Sequence, residues 1–105
     1  MSGVELDPVI HAPNRLQICA LLVVVSELEF RLLKAQLGVS DSVLSKQIKA
    51  LEEASYIDVI KRTEHGRQRT WLALNRSGRA AFQKHVQALR QIIEPGAQAL
   101  NQSEG

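Results

Sequence analysis

The stretch from Phe30 to Leu74 does most to limit what this chain can fold into. It reads as helix, tight turn, helix, then two strands joined by a basic loop. The first apolar-periodic segment, expected over Glu29–Leu37, stops at Gly38, the residue type that most readily takes a left-handed helix exit. Val39 then packs into the turn. Ser40 or Asp41 caps the next helix, because a side-chain oxygen there accepts an N–H of the first turn. That helix, expected over Asp41–Ala54, sets Leu44, Ile48 and Leu51 on one face, the stripe of a half-buried helix. Its other faces hold Ser42, Ser45, Lys46, Gln47 and Lys49, short hydroxyls, an amide and long cations. Ile57–Thr63 alternates as a strand, Glu64–Arg67 contains Gly66 and forms the hairpin tip, and Gln68–Leu74 returns. Leu28 and Phe30 suit a short strand that pairs with this hairpin.

The flanks are helical. Asp7-Pro8 and Pro13 are helix-start signals, so a single turn is expected near Asp7–His11 and a full helix over Asn14–Val25. The latter is apolar on nearly every side, from Leu16 to Val25, which calls for a second covering surface; a partner subunit is the simplest provider. Asn75 and Ser77 offer caps for a last helix whose stripe is Ala81, Phe82, Val86, Leu89 and Ile93 and which Pro95-Gly96 should stop. The termini, 1–6 and 97–105, are expected to be flexible around one domain spanning 1–105.

Charge is segregated along the chain. Residues 31–90 hold 12 Lys/Arg and 5 Asp/Glu, against 1 and 6 elsewhere, so the net +2 hides a basic central half. Such a field favours a polyanion, although charge alone does not separate that from a solvated basic surface. Lys61, Arg62, His65, Arg67 and Arg69 crowd the hairpin. The apolar fraction of 45% supports a core, and 4% aromatics make it aliphatic. No apolar run reaches the length of a membrane span, no leader-like segment opens the chain, and the single Cys19 has no disulfide partner; together these point to the cytoplasm.

The chain resembles a small winged helix-turn-helix regulator of the MarR type. The resemblance rests on Leu33, Ala35, Leu37, Gly38, Val39, Ser40, Leu44, Ser45, Ile48, Leu51, Tyr56 and Ile57, on the hairpin EHGRQRTWLAL and on NRSGRAAFQKHVQAL, and spans about residues 8–93. Ser55 stands where such proteins usually carry Gly, so a left-handed exit there is strained. The resemblance implies an α+β, mostly α fold with a two- to three-stranded wing sheet. It implies sequence-specific binding of double-stranded DNA as a transcriptional regulator, by default a repressor acting through occlusion. Ser40, Ser42, Ser45, Lys46, Gln47 and Lys49 would read bases and phosphates from the recognition helix, and Lys61, Arg62, His65, Gly66, Arg67 and Arg69 would grip the flank from the wing. The first and last long helices (14–25 and 76–93) would form a homodimer through Leu22, Val25, Phe82, Val86, Leu89 and Ile93, matched to an inverted-repeat operator. Any small-molecule effector would bind near that interface; its identity is not in the sequence.

Other readings are weaker. A winged-helix module that binds protein would carry an exposed apolar patch in place of the basic wing. His11, His65 and His85 match no short metal-ligand spacing, so surface or satisfied histidines and no metal are expected, with a site assembled between subunits as the alternative. Cys19 on an apolar face reads as an inert buried thiol, and Trp71 as a packing residue. No nucleophile triad, P-loop or dinucleotide motif occurs, and no cofactor or enzyme activity is expected.

Overall fold

The computed structural model describes residues 4–104. Of the terminal segments expected to be flexible, residues 1–3 and 105 lie outside the described residues. The order is α1 (Pro8–His11), α2 (Pro13–Leu22), β1 (Leu28–Glu29), α3 (Phe30–Leu37), α4 (Asp41–Glu53), β2 (Ile57–Glu64), β3 (Arg67–Leu74) and α5 (Arg76–Glu104). It is an α+β, mostly helical fold with a three-stranded antiparallel sheet in the order β1-β3-β2.

Local chemistry sets the boundaries. Asp7 Oδ1 accepts the N–H groups of Val9 at 2.9 Å and Ile10 at 3.2 Å, capping α1. Gly38 ends α3 at φ 66°, with its N–H on the Lys34 carbonyl at 2.9 Å. Of the two candidate caps for α4, Ser40 serves: its Oγ accepts the Val43 N–H at 3.2 Å. The exit from α4 is left-handed at Ser55, φ 64°. Ser55 N–H bonds the Glu52 carbonyl at 2.9 Å and Tyr56 N–H that of Leu51 at 3.0 Å, the paired bonds of a Schellman motif. At the wing tip His65 and Gly66 have φ 51° and 78°, and Glu64 pairs with Arg67. Two positive-φ residues make a tight loop whose twist matches the strands.

Leu28, Ile57, Val59, Leu72 and Leu74 share the sheet face turned to the helices. They close a core with Ile10, Ile18, Cys19, Leu22, Leu33, Leu44, Ile48 and Leu51. Burial raises the Cys19 thiol to about 11, with Asp7 adding to the shift, so the thiol stays protonated at neutral pH.

Three expectations are corrected. α2 ends at Leu22, not Val25. Three β-branched valines follow, and the Arg79 guanidinium takes the freed carbonyls of Val23 at 3.0 Å and Val25 at 3.1 Å. α2 packs against α1, α3, α4, α5 and β3, which bury Ile18, Cys19 and Leu22, while Leu16 and Leu21 are half-buried and Ala20 and Val24 exposed. Leu22, expected at the dimer interface, is instead a fully buried core residue. Finally, α5 does not stop at Pro95-Gly96 but runs to Glu104, so residues 97–104 are helical. Pro95 removes only the N–H that would bond Gln91, and the Ala- and Gln-rich sequence beyond it favours helix.

Candidate nucleic-acid interface

The exposed side of α4 is built by spacing. Ser42, Ser45, Lys46 and Lys49 recur at i, i+3, i+4 and i+7, opposite the buried Leu44, Ile48 and Leu51, and all four are exposed. Neither lysine has an ion-pair partner among the described residues, so both charges face solvent. At the helix start, Ser40 is exposed and its Oγ lies 3.2 Å from that of Ser42. Lys34 meets Asp41 at 2.7 Å, which offsets the one carboxylate at this end. Val43, exposed to 38%, adds an apolar group that the sequence stripe did not single out.

Gln47 departs from the expected reading set. It is half-buried, and its Oε1 accepts from the Arg15 guanidinium at 2.9 Å. Arg15 also donates to the Val9 carbonyl at 2.5 Å, so the pair pins α1 and α2 to α4. The amide oxygen, the acceptor that a two-pronged contact with adenine needs, is engaged inside the domain.

The wing divides by strand alternation. Arg62, Arg69, Ile60, Trp71 and Glu29 share the sheet face turned away from the core. Arg62 forms a two-pronged pair with Glu27, one contact at 2.9 Å, and its guanidinium lies 5.5 Å from the Trp71 ring centre. That hydrogen-bonded pairing holds the Glu27 carboxyl below its ordinary value. Arg69 meets the buried Glu29 at 3.3 Å and Glu64 at 3.5 Å. These two arginines brace the wing against β1 instead of lying free. Lys61, His65, Gly66 and Arg67 are exposed, and among the described residues Lys61 and Arg67 have no ion-pair partner. Arg31, at the start of α3, borders the same cleft as Arg67 and Gln68. It escaped the sequence reading because it precedes the turn by a full helix.

The dimer candidates are spread along α5. Val25, Phe82, Val86 and Leu89 are half-buried and Ile93 is 56% exposed. Beyond it, Leu100 continues the stripe, and Ile92 is exposed beside it. Two of the three histidines do meet: His11 Nδ1 and His85 Nε2 are 3.2 Å apart, with His65 remote at the wing tip. No group of three or more metal-ligand side chains forms among the described residues. No helix among them is long and apolar enough to cross a membrane.

Comparisons with known proteins agree with this geometry. A family model described as a winged helix DNA-binding domain matches residues 14–93. An uncharacterized protein of Methanocaldococcus jannaschii is 32% identical over 78 residues, covering 74% of this chain and 85% of that protein. Among solved structures, a transcriptional regulator homologue from Pyrococcus horikoshii superposes with a TM-score of 0.79 at 21% identity, over 83% of this chain and 86% of that one. The PcaV transcriptional regulator from Streptomyces coelicolor, solved with its natural ligand, gives 0.67 at 16% identity, over 93% of this chain and 73% of that one. The likeness to the two solved structures is one of fold, while the family match carries more, because it takes in α2 to α5 together with the wing: the chain belongs to the family of winged helix DNA-binding domains.

Proposed function

We propose that this protein is a MarR-type transcriptional regulator that binds a double-stranded operator as a homodimer and represses by occluding it. The observation that carries the reading is the outward side of α4, where hydroxyls and unpaired lysines stand in register opposite the core stripe. Ser42 and Ser45 reach base edges, Val43 meets a thymine methyl group, and Lys46 and Lys49 take phosphates. Ser40 adds a phosphate contact at the positive end of α4. Arg67, at the wing tip with Lys61 and His65 nearby, follows the flanking backbone or minor groove, and Arg31 adds a further phosphate contact. The braced Arg62 and Arg69 fix the direction of the wing instead of gripping DNA.

The dimer reading rests on α5. Phe82, Val86, Leu89, Ile93 and Leu100 lie on one stripe at spacings of three, four and seven residues, the seam of paired helices. Val25 borders the same end of the molecule, since Arg79 of α5 bonds its carbonyl. The test is selection of bound sequences from random duplex DNA, followed by affinity measurements on the recovered site. A rough inverted repeat is the expected product. If the dimer neutralises about 6–10 phosphates, affinity falls by about 10³–10⁵ between 50 and 200 mM salt. No enriched sequence, or an affinity indifferent to salt, would refute the reading.

A further inference from the structure

The exit of α4 is tied to a polar cluster that the proposed DNA interface does not use. His85 of α5 is 1% exposed. Its Nδ1 accepts the Asp7 N–H at 3.0 Å, and its Nε2 faces His11 Nδ1 at 3.2 Å. Asp7 Oδ2 accepts the Tyr56 hydroxyl at 2.6 Å. Tyr56 is the residue that closes the Schellman exit of α4, and its carbonyl accepts the Asn75 N–H at 3.0 Å at the start of α5. One small group of side chains thus ties α1, the end of α4 and the first third of α5 together.

The hydrogen bonds fix the protons. A backbone N–H only donates, so His85 Nδ1 carries a lone pair. The single proton of the neutral ring then sits on Nε2 and donates to His11 Nδ1. A second proton on His85 would set N–H against the Asp7 N–H; a proton on His11 Nδ1 would set N–H against N–H between the rings. Two charged rings with centroids 5.2 Å apart would also repel. Either protonation therefore breaks a link.

We propose that Asp7, His11, Tyr56 and His85 form a proton-sensitive clasp that holds α1 and α5 against the exit of the recognition helix, and that protonation of the histidine pair opens it and weakens DNA binding. The DNA half of this rests on the reading given above. The groups that face the pair are Asp7, Glu5 and Lys84 at the cleft mouth, Tyr56 after α4, Cys19 on α2 and Arg15 on the Val9 carbonyl. Tyr56, through its bond to Asp7, is raised to about 12, and Cys19 to about 11, so neither titrates near neutrality. Burial alone would raise the Asp7 carboxyl, but the Tyr56 hydroxyl, the Ile10 and Val9 N–H groups and His85 hold it below 3.8. Burial and then His11 hold His85 below 6.5, against the pull of Asp7. A histidine whose folded value lies below its unfolded one contributes stability fully above the unfolded value of 6.5 and loses it as pH falls below that point. The clasp is closed at neutral pH and opens in mild acid.

The sign distinguishes this device from plain electrostatics, because acid adds positive charge and tightens an ordinary basic DNA binder. The experiment follows amide exchange of residues 9–11, corrected for intrinsic rates, and affinity for the selected duplex, from pH 7.5 to 5.5. In the wild type, exchange should rise and affinity fall, each by about tenfold for every unit that the clasp depresses His85. In the double variant His11→Asn/His85→Asn, whose amide oxygens take the place of Nδ1 without titrating, both responses should vanish. Should that variant fail to fold, His11→Asn alone removes one exposed ring and its repulsion, and the midpoint should move to higher pH. Exchange independent of pH, or an unchanged response in the variants, would overturn the clasp. Affinity that holds or rises in acid while exchange quickens would overturn its coupling to DNA. A protein that binds no DNA at pH 7.5 would instead contradict the DNA reading, and the exchange measurement would still judge the clasp.

Discussion

Ser55 shows how far a single residue could be read. Its place after α4, where a Gly is usual, foretold a strained left-handed exit, and its φ is 64°. The L-residue penalty for that conformation is about 1–2 kcal/mol, reduced in the exchange by the extra freedom glycine brings to the unfolded chain. Ser55→Gly should therefore stabilise the domain by about 0.5–1 kcal/mol, seen as a raised midpoint in chemical denaturation with an unchanged slope. The candidate contacts were legible by residue type but not by partner. Lys46, Lys49 and Arg67 have no ion-pair partner among the described residues, whereas Arg62, Arg69 and Gln47 are held by Glu27, Glu29 and Arg15, which lie 32 to 40 positions away in sequence. Nothing local marks such long-range pairs. Arg67→Ala is expected to lower affinity on every duplex or to relax a preference for A·T flanks, by about tenfold. Ser45→Ala is expected to change the rank order of operator variants. Competition across a panel of single-base variants separates the two, and a uniform loss for Ser45→Ala would remove that residue from the reading set.

Elements were legible where periodicity and caps agree. α3, α4 and the hairpin fall within a residue or two of their expected bounds, because Gly38, Ser40 and Gly66 punctuate them chemically. The ends of α2 and α5 were not, for different reasons. α2 stops where the Arg79 side chain, more than fifty residues on, takes the carbonyls of Val23 and Val25 just past its end. α5 continues past Pro95 because a proline removes one bond without forbidding the next turn, and the sequence after it favours helix. The join between elements is tightest at Gly78. Its N–H bonds Asn75 Oδ1 at 2.8 Å, and a Cβ there would lie 2.1 Å from the Tyr56 carbonyl oxygen and 2.7 Å from Leu74 Cδ1. Backbone cannot yield as a flexible side chain would, so α5 must shift away from the sheet. Gly78→Ala should cost about 1–3 kcal/mol or more, despite the higher helix propensity of alanine. A thermal melt lowered by at least several degrees is the expected result, and an unchanged melt would show that α5 docks more loosely than this contact requires.

At the scale of the molecule, the surplus apolar surface, expected on both the first and the last long helix, is most extended on α5. α2 is the centre of the core, while the outer half of α5 leaves Ile92, Ile93 and Leu100 at 51%, 56% and 69% exposure. The 29 residues of α5 would extend about 43 Å at the usual rise, well past the core they are anchored to. Packing two such helices about a two-fold axis would cover Leu89, Ile93 and their neighbours and would set two α4 helices on one duplex. Ile93 is the site to break: it stands free of the core, so a charge there spares the fold. Each buried isoleucine is worth about 1.5–3 kcal/mol, and a symmetric dimer loses two. Ile93→Glu should thus raise the dimer dissociation constant by about 10²–10⁴. The circular dichroism spectrum should stay as in the wild type, while the thermal melt should lose its dependence on protein concentration. Binding to a full inverted repeat should weaken, while binding to a half-site should not. Sedimentation at micromolar concentration gives the direct check: a wild type that runs as a monomer, or an Ile93→Glu variant that remains dimeric, would mean that α5 is not the seam.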